Sequence, residues 1–178
     1  PGAYLLEPFN DPGVGPATKT PDSTTFLNAV NALTAGGGND CPELPFSGLM
    51  EAISASDPQA VFFLFTDASA NDDYLADDVI LAAKQKGIVL KFMLFGSCSP
   101  IDAKYYKVAS GTGGQVFVLT PSEASSTFPL VKAQVVANPV TLLSVGGTSL
   151  SAPAVYNVPV DSTLTSTPLT FSVSVDTP

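Results

Sequence analysis

Val61-Phe62-Phe63-Leu64-Phe65-Thr66-Asp67-Ala68-Ser69 is the stretch that decides the fold. Val61 to Phe65 is an unbroken apolar run of strand length, the pattern of a central strand covered on both faces. Polar chemistry begins abruptly at Thr66, where such a strand would end. Asp72 and Asp73 then lead a helical pattern through Leu75, Val79, Ala82 and Ala83 that closes with Lys84, Lys86 and Gly87. Acids near the start and bases near the end suit the helix dipole, and the glycine suits a left-handed stop. A second buried strand follows at Ile88 to Phe95, so strand, helix and strand succeed one another as in a parallel crossover unit.

The same alternation extends in both directions. Downstream, Gly96 to Pro100 reads as a loop bearing Cys98, Ala103 to Ser110 as a short helix, and Gln115 to Leu119 as a strand. A last helix spans roughly Ser126 to Val136, with Pro129 in its first turn. Upstream, Asn10-Asp11-Pro12-Gly13 is turn chemistry that folds Tyr4 to Phe9 against Val14 to Thr20 as a hairpin. Asp22 or Ser23 caps a helix that packs by its Phe26, Leu27, Val30 and Leu33 face and ends at Gly36-Gly37-Gly38. A further helix carries Phe46, Leu49, Met50 and Ile53. Residues 1–137 therefore read as a doubly wound α/β domain with a mostly parallel sheet and helices on both faces. Beyond Asn138 the period changes to short alternating runs, Val140 to Val145, Ala154 to Val160 and Leu169 to Val175, set among Gly, Pro, Ser and Thr. Residues 138–178 read as the beginning of a β-sandwich, too few strands to close one alone.

Composition narrows the function. The 178 residues hold 7 Lys plus Arg against 16 Asp plus Glu, a formal charge of −9. Such a field repels phosphate backbones and anionic lipid surfaces, which argues against nucleic-acid and membrane-surface partners. The apolar runs are too short to span a bilayer. With no His anywhere, Ser-His-Asp and Cys-His catalysis and imidazole metal sites are excluded. Low Lys content, many Ser and Thr and an acidic surface lean towards an extracellular protein. Two cysteines, Cys41 and Cys98, suit either a disulfide or two buried thiols.

In open α/β sheets ligands sit beyond the carboxyl ends of the strands, which makes Asp67 the leading candidate for chemistry. Asp40 sits in the glycine-rich loop Gly36-Gly37-Gly38-Asn39-Asp40, where backbone freedom lets a carboxylate approach a cation. With hydroxyls of Thr66 or Ser69 and water, the two would make a weak site for Mg²⁺ or Ca²⁺. The plainer readings are a helix N-cap for Asp67 and a turn for Asp40. The triple glycine follows a helix and lacks a following Lys-Ser/Thr, so it is no phosphate loop. Asp72, Asp73, Asp77 and Asp78 read as a solvated helix start, and Gly111 to Gly114 as a turn into a strand.

Four segments carry a family resemblance: Tyr4-Leu5-Leu6-Glu7-Pro8-Phe9-Asn10-Asp11-Pro12, Gly36-Gly37-Gly38-Asn39-Asp40-Cys41-Pro42-Glu43, Phe62-Phe63-Leu64-Phe65-Thr66-Asp67-Ala68 and Gly113-Gly114-Gln115-Val116-Phe117. Over Tyr4 to Val136 the chain resembles a von Willebrand factor A domain of the hemicentin type. The tail, with Val155-Tyr156-Asn157-Val158-Pro159-Val160-Asp161-Ser162, resembles the β-domain that follows it in such proteins. The resemblance implies that Asp67 is the aspartate of a metal-ion-dependent adhesion site and that the Asp40 loop replaces the usual threonine-bearing loop. It implies a Cys41–Cys98 disulfide and a secreted, extracellular location. It further implies a non-enzymatic adhesion or matrix module that binds other proteins or copies of itself.

Two departures from the pattern matter. Asn39 adds a residue to the glycine loop, and the family's first central strand with its Asp-x-Ser-x-Ser motif and the helix after it are absent from the chain, so that 1–137 reads as such a domain lacking its first strand and helix. An unfilled slot in mid-sheet would expose a row of backbone donors and acceptors. The expectation is that another segment fills it, that Pro1 is a boundary within a longer chain, or that a second copy donates the strand. The alternative function is then a structural subunit of an extracellular polymer with a vestigial metal site. An Asp67 nucleophile for phosphoryl hydrolysis is a third reading, without an evident general acid.

Overall fold

The computed structural model describes residues 2–34, 36, 41–96, 101–136 and 155–158. The chain opens with the expected hairpin. Strands β1 (Tyr4–Leu6) and β4 (Thr18–Thr20) pair antiparallel with Tyr4 opposite Thr20, and β2 (Phe9–Asn10) and β3 (Gly13–Val14) pair with Phe9 opposite Val14. The register slips by one residue between the two pairs, so the return strand bulges at Pro16-Ala17. The Gly15 amide donates to the Pro8 carbonyl at 2.7 Å just inside the slip.

Helix α1 (Ser23–Asn31) is capped by Asp22, whose carboxylate accepts from the Thr24 and Thr25 amides. It is shorter than the sequence predicts, with its C-cap at Ala32, well before the glycines. Its packing also differs from expectation. Phe26 stacks on Tyr4, with ring centroids 5.1 Å apart, but Leu27, Val30 and Leu33 are exposed. The helix leans on β1 and β4 alone among its principal neighbours, and the rest of its apolar face is uncovered by the described residues.

Helix α2 (Pro45–Ala55) obeys its sequence pattern: Phe46, Leu49 and Ile53 are buried at helical spacing. Each contributes about 1.5–3 kcal/mol by leaving water. Strand β5 (Val61–Thr66) follows, then a single 3₁₀ turn at Asp73–Leu75, helix α3 (Ala76–Lys86) and strand β6 (Val89–Leu94). Gly87 ends α3 in the left-handed conformation, φ 66°, as its position predicts. Lys86 does more than face its own helix end: its ammonium donates to the Ile53, Ser54 and Ser56 carbonyls and closes the C-terminus of α2. Helix α4 (Ala103–Gly111), strand β7 (Val116–Val118), a 3₁₀ segment at Pro121–Ser126 and helix α5 (Thr127–Val136) complete the order.

Strands β5, β6 and β7 form a parallel sheet in that spatial order. One face carries Leu64, Leu90, Phe92, Leu94 and Val116, which share a core with Phe46, Leu49 and Ile53 of α2, Ala76, Val79 and Ala83 of α3, and Tyr105, Val108 and Ala109 of α4. Alternation along the strands sends Lys91, Met93 and Phe117 to the opposite face, where all three are buried. Burial pushes the Lys91 ammonium below its ordinary value.

The middle strand is β6, and here the sequence reading of Val61 to Phe65 as a strand covered on both faces is corrected. Of β5 only Leu64 is buried, and Val61 and Phe65 are exposed. The physical reason is its place at a sheet edge: among the described residues no strand pairs with its other side, and the hairpin strands form sheets of their own. The expectation that another segment fills that place is therefore not met among the described residues. The strands expected beyond Asn138 lie outside them too, except 155–158, which hold no strand.

Gly114 shows why the α4–β7 connection is more than a turn. A Cβ there would lie 1.8 Å from the Leu90 carbonyl oxygen, so the chain passes directly against the central strand. Thr112 assists by accepting from the Leu90 amide at 3.3 Å.

Candidate functional site

The carboxyl ends of β5 and β6 and the 3₁₀ segment enclose a shallow groove of about 460 Å³ lined by Phe65, Thr66, Asp67, Phe95, Pro121 and Ala124. Phe65 and Phe95 stack across it with centroids 6.5 Å apart. The lining is thus mainly apolar and aromatic, and Asp67 brings its one charge. Asp67 is exposed and caps no helix, so the N-cap reading is set aside. The Thr66 hydroxyl accepts from the Ala68 amide at 3.1 Å and shapes the turn that presents Asp67.

The backbone behind Asp67 is fixed from below. The buried Tyr105 hydroxyl donates to the Ala68 carbonyl at 2.9 Å. Burial, with the Asp102, Asp72 and Glu43 charges, holds that phenol far above its ordinary value, so it is a permanent donor at physiological pH. Two residues on, the strap Cys41–Glu43 joins the loop: the Glu43 amide donates to the Ser69 carbonyl at 2.9 Å and the Asn71 amide to the Glu43 carbonyl at 2.7 Å. The Asn71 side chain in turn donates to Asp11 in the hairpin turn at 2.8 Å. Hairpin, strap and post-β5 loop form one connected surface.

Asp72 is the residue whose role the sequence concealed. It is fully buried, not part of a solvated acidic cluster, and its two carboxylate oxygens accept from the Phe46 amide at 3.2 Å and the Ser47 amide at 2.5 Å. The carboxylate caps α2 in trans, where the helix's own N-cap Leu44 offers no side-chain acceptor and Pro45 occupies the first turn. A charge at a helix N-terminus is favourable and satisfies two orphan donors. The other three acids behave as expected: Asp77 is exposed and paired with Lys107 at 2.6 Å, and Asp73 and Asp78 sit in first turns.

Of the four residues singled out from sequence, Asp67 and Cys41 are described, and Asp40 and Cys98 lie outside the described residues. Cys41 is disulfide-bonded. The strap it begins lies against the loop that follows Asp67. Among the described residues no group of three or more His, Cys, Asp or Glu side chains is arranged to hold a metal. Asp67 by itself supplies one carboxylate, and a hard cation needs six or more oxygens. The described side chains do not amount to a cation site.

A family model for the von Willebrand factor A domain matches residues 1–121. Among curated proteins, hemicentin-1 of Homo sapiens is 35% identical over 145 residues and hemicentin-2 of Mus musculus 32% identical over 145 residues, each covering 79% of this chain and 3% of the relative. The von Willebrand factor A domain-containing protein 7 of Homo sapiens is 32% identical over 126 residues, 64% of this chain and 14% of the relative. The chain thus spans about 3% of the length of the hemicentins it matches. No solved structure matches it. Strand β5 leading into Asp67, the parallel β5–β6–β7 sheet and these likenesses agree, and the chain belongs to the von Willebrand factor A domain family, of the hemicentin type.

Proposed function

We propose that the chain is a non-enzymatic, extracellular adhesion or matrix module that binds a partner protein at the carboxyl end of its sheet. The observation that carries this reading is the groove itself: one exposed carboxylate, Asp67, over the stacked rings of Phe65 and Phe95, on a loop held by Tyr105 and the Glu43 strap. Such a surface has an apolar contact area and a single charge to orient a partner. Hemicentin likeness supports the extracellular setting. A disulfide between Cys41 and Cys98 and a division into 1–137 and 138–178, the latter starting a β-sandwich, belong to the same proposal.

Mg²⁺ or Ca²⁺ at this end would rest on Asp67 with Asp40 and on water for the remaining positions. Two carboxylates make a weak site.

A second reading has its own observation. The unpaired side of β5 among the described residues suits an added strand, from an upstream segment or from another copy of the chain. In that reading the protein is a structural subunit that assembles by strand exchange. Sedimentation at several concentrations, with and without chelator, separates the two. A monomer whose matrix binding is intact, whether or not chelator is present, supports the binding module. Concentration-dependent assemblies indifferent to chelator support the subunit.

A further inference from the structure

Glu7 stands in the two-residue link between β1 and β2, and both of its carboxylate oxygens are shut off from solvent without a hydrogen-bond partner. They border a cavity of about 290 Å³ whose walls include Gly15, Glu51, Ser54 and Ala55. The Gly15 backbone lies directly over the carboxylate, since a Cβ at that position would sit 2.9 Å from Glu7 Oε1. The cavity is therefore the seam where the hairpin meets α2, and it holds two acids with no cation between them.

The cations nearby are committed elsewhere. Lys19 of β4 donates to the Ala55 carbonyl at 3.0 Å and pairs with Asp57 at 2.7 Å, and Lys86 of α3 is spent on the carbonyls that end α2. Glu51 is the titratable side chain that α2 brings to the seam, α1 brings none, and Asp11 in the hairpin turn accepts from Asn71. A buried acid without a donor is costly when ionised, and a second acid beside it adds repulsion.

We propose that Glu7, set beside the Glu51 charge, is an acid-operated latch: protonation of Glu7 tightens the hairpin against α2, and its ionisation loosens it. The latch is separate from the Asp67 groove. It reaches that surface through the hairpin turn, where Asp11 holds Asn71.

Burial first, and the Glu51 charge second, raise Glu7 above the ordinary carboxylate value. The sign follows. The folded state holds its proton at a pH where the unfolded state has lost it, so stability falls as pH rises through that interval and is regained as pH drops. This is opposite to an acid held by a salt bridge.

The test is hydrogen exchange by mass spectrometry on the full-length native protein, read on peptides covering residues 4–20 and corrected for intrinsic rates. Protection of these peptides should be greater at about pH 5 than at about pH 7, with the difference lost in Glu7→Gln and reduced in Glu51→Gln. The two glutamine variants should also be better protected than the wild type at about pH 7. Asp78→Asn, in the first turn of α3 and outside the cavity, should keep the wild-type dependence. Protection that is equal at the two pH values, or a dependence that survives in Glu7→Gln, overturns the proposal.

Discussion

Replacing Asp72 tests how the loop after β5 is coupled to the helical layer. In Asp72→Ala the Phe46 and Ser47 amides lose their acceptor inside a buried contact, at 3.2 Å and 2.5 Å in the wild type. Loss of an N-cap costs about 1 kcal/mol, and a buried donor left unsatisfied about 1–3 kcal/mol. Some water entry offsets the sum, so the expected loss is about 2–4 kcal/mol, a large part of a typical domain's stability of about 5–15 kcal/mol. The midpoint of thermal unfolding should fall by on the order of 10 °C. Asp72→Asn keeps one acceptor oxygen but loses the charge and turns an amide group towards the second N–H, for a loss of about 1–2 kcal/mol. Urea unfolding with linear extrapolation measures both, provided fluorescence and circular dichroism transitions coincide. If Asp72→Ala lies within about 0.5 kcal/mol of wild type, the trans cap is not what holds α2 to the sheet.

Tyr105→Phe removes the donor to the Ala68 carbonyl while keeping the ring between Phe46 and Phe92; it should cost about 1–2 kcal/mol and increase exchange of the Ala68 and Ser69 amides, measured by hydrogen exchange. Gly114→Ala puts a methyl into the Leu90 carbonyl, so the central strand must shift; the loss should exceed about 3 kcal/mol in the same urea assay, or the chain should fail to accumulate in soluble form. Gly2→Ala, where nothing lies within 4 Å of the added Cβ, is the control and should be neutral.

What was legible in the sequence was local. Asn10-Asp11-Pro12-Gly13 announces its hairpin because turn chemistry is written in consecutive residues, and Gly87 announces the end of α3 for the same reason. The spacing of Phe46, Leu49 and Ile53 gives α2 because one face has one core to meet. Position in the sheet was harder. An apolar run such as Val61 to Phe65 records affinity for a sheet but not which strands flank it, and β5 stands at an edge among the described residues. The exposed face of α1 is the same kind of case, since Leu27, Val30 and Leu33 declare a face without naming what covers it.

At the site, Asp67 was legible from its place after a buried-looking strand. Asp72 was not, because its partners lie some 25 residues away on another element and its neighbours Asp73, Asp77 and Asp78 are ordinary surface acids. Glu7 was missed for a related reason: only the closed hairpin brings it against Glu51. Tyr105 carries no signal beyond its core spacing in α4, though it fixes the carbonyl adjacent to Asp67. Residues that support a site through tertiary contacts leave little trace in the linear pattern.

The proposed function requires that a partner protein dock on the Asp67 groove. Retention of the full-length protein on an extracellular-matrix preparation, compared between wild type, Asp67→Ala and the distant Asp57→Ala, tests it most directly, with urea midpoints confirming that all three are folded. Asp67→Ala should lose most of the retention while Asp57→Ala keeps it. Retention by Asp67→Ala equal to wild type would contradict it.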